Sequence, residues 1–228
     1  MFTEGELVGL ARTHIIQVDT PRFAIHRAVH EPFLALQAAA QRDGFALSPF
    51  SAFRDFEAQR RIWNGKFTGQ KPVYDQRGHM CTMTGWSDDR RIEAILGWSA
   101  LPGASRHHWG TEIDVVDRSR LPSGYRIVLL PEEAQPGGVF HELHQWLDEH
   151  VESFGFFRPY RAYQGGIYEE PWHLSYWPVS REAMALLSFD MLEAVLHASD
   201  LAGKKALFRR LPEVFERYIK NICLPVTL

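Results

Sequence analysis

Ser105-Arg106-His107-His108-Trp109-Gly110-Thr111-Glu112-Ile113-Asp114 is the stretch on which the reading of this 228-residue chain turns. It offers two adjacent imidazoles and, after a glycine turn, a carboxylate. Its complement lies far downstream, at Glu170-Pro171-Trp172-His173. Together the two stretches hold the donors of a catalytic zinc site: three protein ligands, an open position for water, and a spare glutamate to take the water's proton.

His107 and Asp114 are seven residues apart with Gly110 between them. Gly110 permits a tight turn, so a loop histidine can fold back over a carboxylate carried by a strand. His173 is the best candidate for the third ligand. Pro171 keeps Glu170 out of the α region, so Glu170 and His173 do not share a helix face. Glu170 then reads as a neighbour of the metal water and a general base. Taken singly, each residue has a plainer reading. His107 fits a backbone-bonded loop histidine, Asp114 a strand-end acid, and His173 a core histidine beside Trp172. The four together favour a metal site. Spacing barely separates His107 from His108 as ligand. His141, His144 and Asp148 form a rival cluster on one side of a helix, read as a solvated polar face. His79 and Cys81 are read as loop residues.

Working outward, Pro32 opens a helix over about 30–42, stopped by Gly44. Residues 45–53 read as an extended segment that Pro49 confines to an edge or bend. A helix follows over 55–64, ended by Gly65. Residues 66–86 form a long polar loop. Ser87 caps a helix to about Trp98. Strands are expected over 111–116 and 125–130, then an amphipathic helix over 139–154 with Phe140, Leu143, Leu147, Val151 and Phe154 on one face. Residues 155–158 and 167–176 look extended. From Ser180, as N-cap, the pattern is helical, broken near Gly203 and Pro212. Trp98, Trp109, Trp172 and Trp177 read as core or site walls. The expected fold class is α+β: a small, mainly antiparallel sheet carrying the site, flanked by helices, with a helical C-terminal extension. One domain is expected over 1–228, with a core about 27–179 and the extension 180–228.

Composition bounds the function. Apolar residues are 45% and charged residues 23%, with a net charge of -3, which gives no footprint for nucleic acid. Two widely spaced cysteines exclude a disulfide framework. No apolar run spans a membrane, so no membrane insertion is expected. No leader is visible at the start, so the expectation is the cytosol, or the periplasm if a leader has been removed. Nothing in the sequence speaks to oligomeric state.

The chain resembles the VanY family of D-alanyl-D-alanine carboxypeptidases, zinc peptidases of a superfamily that includes lysostaphin-type endopeptidases and the hedgehog signalling domain. Three motifs carry the resemblance in the family's order: Ser51-Ala52-Phe53-Arg54-Asp55-Phe56-Glu57-Ala58-Gln59, then Ser105, His107, Gly110 and Asp114, then Glu170-Pro171-Trp172-His173-Leu174-Ser175-Tyr176. The resemblance implies one catalytic Zn2+ on His107, Asp114 and His173, with His107 rather than His108 as ligand. It implies Glu170 as base, with Arg54 and Gln59 at the substrate and Arg54 also facing developing negative charge. Ser105, Trp172 and Tyr176 are further substrate-side candidates. The implied activity is removal of a C-terminal D-Ala from a peptidoglycan-derived peptide, favoured as L,D-cleavage of a tetrapeptide during muropeptide recycling. D,D-carboxypeptidase, D-Ala-D-Ala dipeptidase and endopeptidase activities are alternatives. A non-catalytic cell-wall peptide binder is the contrasting class, and it has no need of Glu170. Glu112 departs from the family pattern, which carries a small apolar residue there.

Overall fold

The computed structural model describes residues 1–227. At its centre is a four-stranded sheet in the order β3-β4-β6-β5, every neighbouring pair antiparallel. The strands are β3 (Leu47–Ser51), β4 (Glu112–Asp117), β5 (Phe156–Phe157) and β6 (His173–Tyr176). A separate hairpin joins β1 (Ile15–Asp19) to β2 (Arg22–His26). β3 is an edge strand and its register shifts at Pro49, which has no N–H to give a ladder. Helices surround this small sheet, so the fold is α+β.

Strand alternation sorts the sheet into two faces. Ile113 and Val115 of β4 and Leu174 of β6 enter a core shared with α2 (His30–Arg42) and α5 (His141–His150). Glu112, Asp114, His173 and Ser175 take the alternate positions on the opposite face. That face is backed by a second core built from α3 (Phe56–Phe67), α4 (Asp88–Leu96), α6 (Trp177–Leu186), α7 (Phe189–Ala198) and α8 (Lys204–Val214). The C-terminal helices therefore complete this core: Leu192, Leu207 and Leu211 pack in one cluster with Phe56, Trp63 and Ile92. Among the described residues, no helix is long and apolar enough to cross a membrane.

Several elements differ from the sequence reading. Residues 125–130 form no strand. Their backbone N–H groups at Val128 and Leu129 are bonded by the buried Glu133 carboxylate, which also accepts from the Tyr125 hydroxyl. Helix α3 runs past Gly65 to Phe67. Helix α5 ends at His150, and a 3-10 turn carries the chain on to Gly155, whose φ is +80°. Ser180 caps nothing: α6 already starts at Trp177, and Ser180 is buried within it, bonded to Ser175. Pro212 does not break α8, which runs through it before loosening into a π turn over Phe215–Lys220. The α1 turn (Glu4–Leu7) and the β1–β2 hairpin were not anticipated.

Candidate active site

The antiparallel register of β4 and β6 sets Asp114 directly opposite His173, and Glu112 opposite Ser175. His107 arrives from a 3-10 turn, Arg106–Trp109, that ends at Gly110 with φ of +65°. A Cβ on Gly110 would stand 2.3 Å from Ile15 Cδ1 and 2.7 Å from the His26 backbone N, so the β1–β2 hairpin packs where only glycine fits. The Gly110 carbonyl accepts from His26 N–H, which ties the hairpin to the loop.

Each imidazole has one nitrogen committed and one free. His107 Nδ1 lies 2.7 Å from the Ala52 carbonyl, to which it donates, leaving Nε2 as a lone pair. His173 Nε2 lies 2.7 Å from Glu112 Oε2, leaving Nδ1. These tautomers follow from the partners, since a carbonyl and a carboxylate only accept. His107 Nε2 is 3.4 Å from Asp114 Oδ2, and His173 Nδ1 is 3.1 Å from Asp114 Oδ1. Asp114 Oδ1 is buried and has no hydrogen-bond partner. Among the described residues, His107, Asp114 and His173 are the group whose ligand atoms all lie within 4.8 Å of one another. With both rings neutral, two lone pairs and a buried carboxylate oxygen face one point, an arrangement that is costly without a cation there. The donor set, two imidazoles and one carboxylate, fits zinc.

Electrostatics agree. Burial, with the Arg54 guanidinium close by, holds His107 down at about 3, so it is the neutral ring a metal requires. Burial opposes protonation of His173 as well, but the Asp114 and Glu112 carboxylates outweigh it and raise the ring to about 10. In the absence of a metal, a proton on His173 Nδ1 faces Asp114 Oδ1 at 3.1 Å, the same point on which the three donors converge. Burial raises Glu170 to about 7, against the pull of His173.

Glu112, visible in the sequence only as a departure from the family pattern, sits directly behind His173. It is fully buried. Its Oε1 accepts from Ser175 Oγ at 2.7 Å, Thr111 Oγ1 at 2.9 Å and Arg106 at 3.2 Å. Burial alone would raise its carboxyl, but Arg106 and His173 hold it near 2. Its ionised oxygen thus fixes the orientation of His173, the outer-shell partner a metal-binding imidazole needs. The signal in the sequence was its spacing: two residues before Asp114 on a strand is the same face.

A cavity of about 210 Å3 opens over the triad. Arg54, Ser105, His107, Asp114, Glu170, Trp172 and His173 all line it. The Glu170 N–H donates to the Tyr160 carbonyl and the Glu170 carbonyl accepts from His173 N–H across Pro171, with Glu170 Oε2 3.5 Å from His173 Nδ1. Arg54 donates to Gln59 Oε1 at 2.7 Å and Ser51 Oγ at 3.1 Å, with a guanidinium nitrogen 3.9 Å from Asp114. Trp172 stacks on Trp98 in the cavity wall. Tyr74, Tyr160, Val128, Leu129 and Lys66 also line the cavity and were not singled out from the sequence.

Two substrate-side expectations shift. Gln59 is fully buried and lies off the cavity; its amide spans Arg54 and the Ala100 carbonyl, so it positions the arginine. Tyr176 lies off the cavity too, packed on Phe156. The rivals fall away. His108 spends both nitrogens on backbone, Nδ1 on the Arg54 carbonyl and Nε2 on Gly103 N–H. His79 is exposed beside Asp75. Trp109 is core, its indole bonded to the Leu7 carbonyl.

Comparison with known proteins reaches the same place. An Enterococcus faecalis D-alanyl-D-alanine carboxypeptidase is 28% identical over 141 residues, covering 60% of this chain and 42% of that protein. A Haemophilus influenzae protein described as uncharacterized is 36% identical over 121 residues, 52% of this chain and 92% of its own. The fold is similar to that of VanYB in complex with D-alanine-D-alanine, with a TM-score of 0.53 at 23% identity over 82% of this chain and 89% of that one. It is similar also to a vancomycin resistance D,D-pentapeptidase VanY mutant in complex with Zn(II), with a TM-score of 0.52 at 23% identity over 85% and 88%. The family model for VanY, D-alanyl-D-alanine carboxypeptidase, matches residues 22–179, more than half of the sequence. This chain belongs to the VanY family of D-alanyl-D-alanine carboxypeptidases.

Proposed function

We propose that this protein is a zinc-dependent carboxypeptidase that removes a C-terminal D-alanine from peptidoglycan stem peptides. The observation that carries the reading is Glu170: a carboxyl held in the cavity wall, 3.5 Å from the free nitrogen of His173. A binding module has no use for a base at that point. Zinc, when bound, supplies an acidified water and polarises a carbonyl. His107, Asp114 and His173 would hold it. Glu170 accepts the water's proton and returns it to the leaving amine, a task suited to a carboxyl raised towards neutrality. Arg54 presents a guanidinium fork to developing negative charge, steadied by Gln59 and Ser51. Trp172, Trp98 and the apolar wall of Val128 and Leu129 exclude water from the peptide.

Within that activity we favour L,D-cleavage, trimming a tetrapeptide to a tripeptide, in keeping with a place in muropeptide recycling. The D,D reading has a specific support: D-alanine-D-alanine is the ligand named with the VanYB structure. One assay separates them. Zinc-loaded protein is incubated with muramyl tripeptide, tetrapeptide and pentapeptide, and released D-alanine is followed by mass. Cleavage of tetrapeptide alone supports L,D activity. Cleavage of pentapeptide alone replaces it with D,D activity. No release from any of them, with zinc bound, returns the protein to the binding class.

A further inference from the structure

Lys66 lies in the cavity with an incomplete set of partners. It sits in the last turn of α3, seven residues after Gln59 and so on the same helix face. Gln59 on that face holds Arg54; Lys66 reaches the cavity beside it. Its ammonium donates to Ser99 Oγ at 2.6 Å, and among the described residues it forms no ion pair. Burial pushes the ammonium down to about 8, and the more distant attraction of Glu170 does not offset this. An ammonium has three donors, of which one is used. The Ser99 hydroxyl accepts from Lys66, so its own proton is free to donate. Lys66 and Ser99 both line the cavity with Arg54 and Glu170. A desolvated cation and a hydroxyl with donors to spare are stabilised by an anion from outside the chain.

A carboxypeptidase must meet two negative groups: the oxygen of the attacked carbonyl, and the free carboxylate one residue further on. Arg54 lies 3.9 Å from Asp114, beside the residues that would hold the metal, where the attacked carbonyl would have to bind. The second cation belongs to the other group. We propose that Lys66 and Ser99 form the subsite for the substrate's C-terminal carboxylate, which makes the enzyme cut from the end rather than within a chain. This rests on the carboxypeptidase reading above. A purely structural role for Lys66, pinning α3 to residues 99–100, is the competing explanation, and Gln59 already makes that link through Ala100.

The test uses the full zinc-loaded chain and two versions of the cleaved stem peptide, one ending in a free acid and one in a carboxamide. The readouts are kcat, KM, zinc content and melting temperature. The wild type should prefer the acid by about 10²-fold in kcat/KM, mostly through KM. Lys66→Met should bring the acid to amide ratio close to one while zinc content holds. Lys66→Arg should recover part of the preference, and Ser99→Ala should lose a smaller share. Equal losses on acid and amide in Lys66→Met, or no loss on the acid, overturn the subsite. Calorimetric binding of the same two peptides separates this from failure of the enzymatic reading. If wild type binds the acid peptide but cuts neither, the carboxypeptidase reading fails, and weaker acid binding in Lys66→Met still supports the subsite. Equal binding by the two proteins, or no binding by wild type, overturns the subsite.

Discussion

Two clusters in this molecule have nearly the same composition and opposite fates. One is His107, His173 and Asp114 on the sheet. The other is His141, His144 and Asp148 on α5. At the first, free nitrogens and an orphaned carboxylate oxygen converge, and the nearest cation, Arg54, stands off at 3.9 Å from Asp114. At the second, Arg158 fills the space: it pairs with Asp148 and donates to the His144 carbonyl. His141 turns to the Ala134 carbonyl instead. The sequence reading took the α5 cluster as a solvated polar face, but His144 is buried beneath Arg158. A guanidinium already in place makes that cluster a structural ion pair. Residue types alone do not make a metal site; the position of the nearest cation does.

The comparison can be broken in order of effect. His107→Ala should abolish stoichiometric zinc binding, whereas His144→Ala should leave zinc content unchanged, both by elemental analysis. Glu170→Ala should keep zinc yet lose turnover by about 10²-fold or more, the usual range for a general base. Retained activity would remove Glu170 from the mechanism. Glu112→Gln should weaken zinc binding about 10- to 100-fold in chelator competition, because His173 loses its ionised partner. The matching change on the other cluster, Asp148→Asn, should not alter zinc affinity. His108→Ala should keep zinc but cost about 1–3 kcal/mol of stability in denaturant melts, since it leaves buried backbone groups without partners.

Another expected effect is on pH. Burial, with Arg158 beside it and His141 further off, depresses His144 from 6.5 to about 3. The unfolded chain then binds a proton that the folded chain refuses, so stability is full above about pH 6.5 and falls as pH drops towards 3. His144→Leu should flatten that part of the pH–stability curve. An unchanged slope would mean that His144 is not buried neutral.

Much of the site was legible because it follows short-range rules. Gly110 had to turn, and Pro171 had to hold Glu170 out of a helix; Asp55, placed in the helix by the sequence, is its cap and accepts from Ala58 N–H. What stayed hidden depended on distant partners. Glu112 gains its role only from His173, which strand pairing brings opposite. Lys66 was read into a loop because Gly65 looked like a stop. The helix runs on through Gly65 to Phe67, and a Cβ at Gly65 would stand 3.0 Å from the Lys71 side chain. The apparent strand at 125–130 had the right residue types, yet Glu133 competes for its backbone donors. The β1–β2 hairpin is half-buried without clean alternation, so no period announced it.

The position of the metal decides which residues can act on the substrate. The most direct measurement is an anomalous-scattering map at the zinc edge from crystals of the metal-loaded protein. The prediction is a single zinc at about 2.0–2.2 Å from His107 Nε2, an Asp114 oxygen and His173 Nδ1, with Glu112 still on His173 Nε2. Zinc on the α5 cluster, or a His107–Asp114–His173 site that stays empty at saturating zinc, would contradict it.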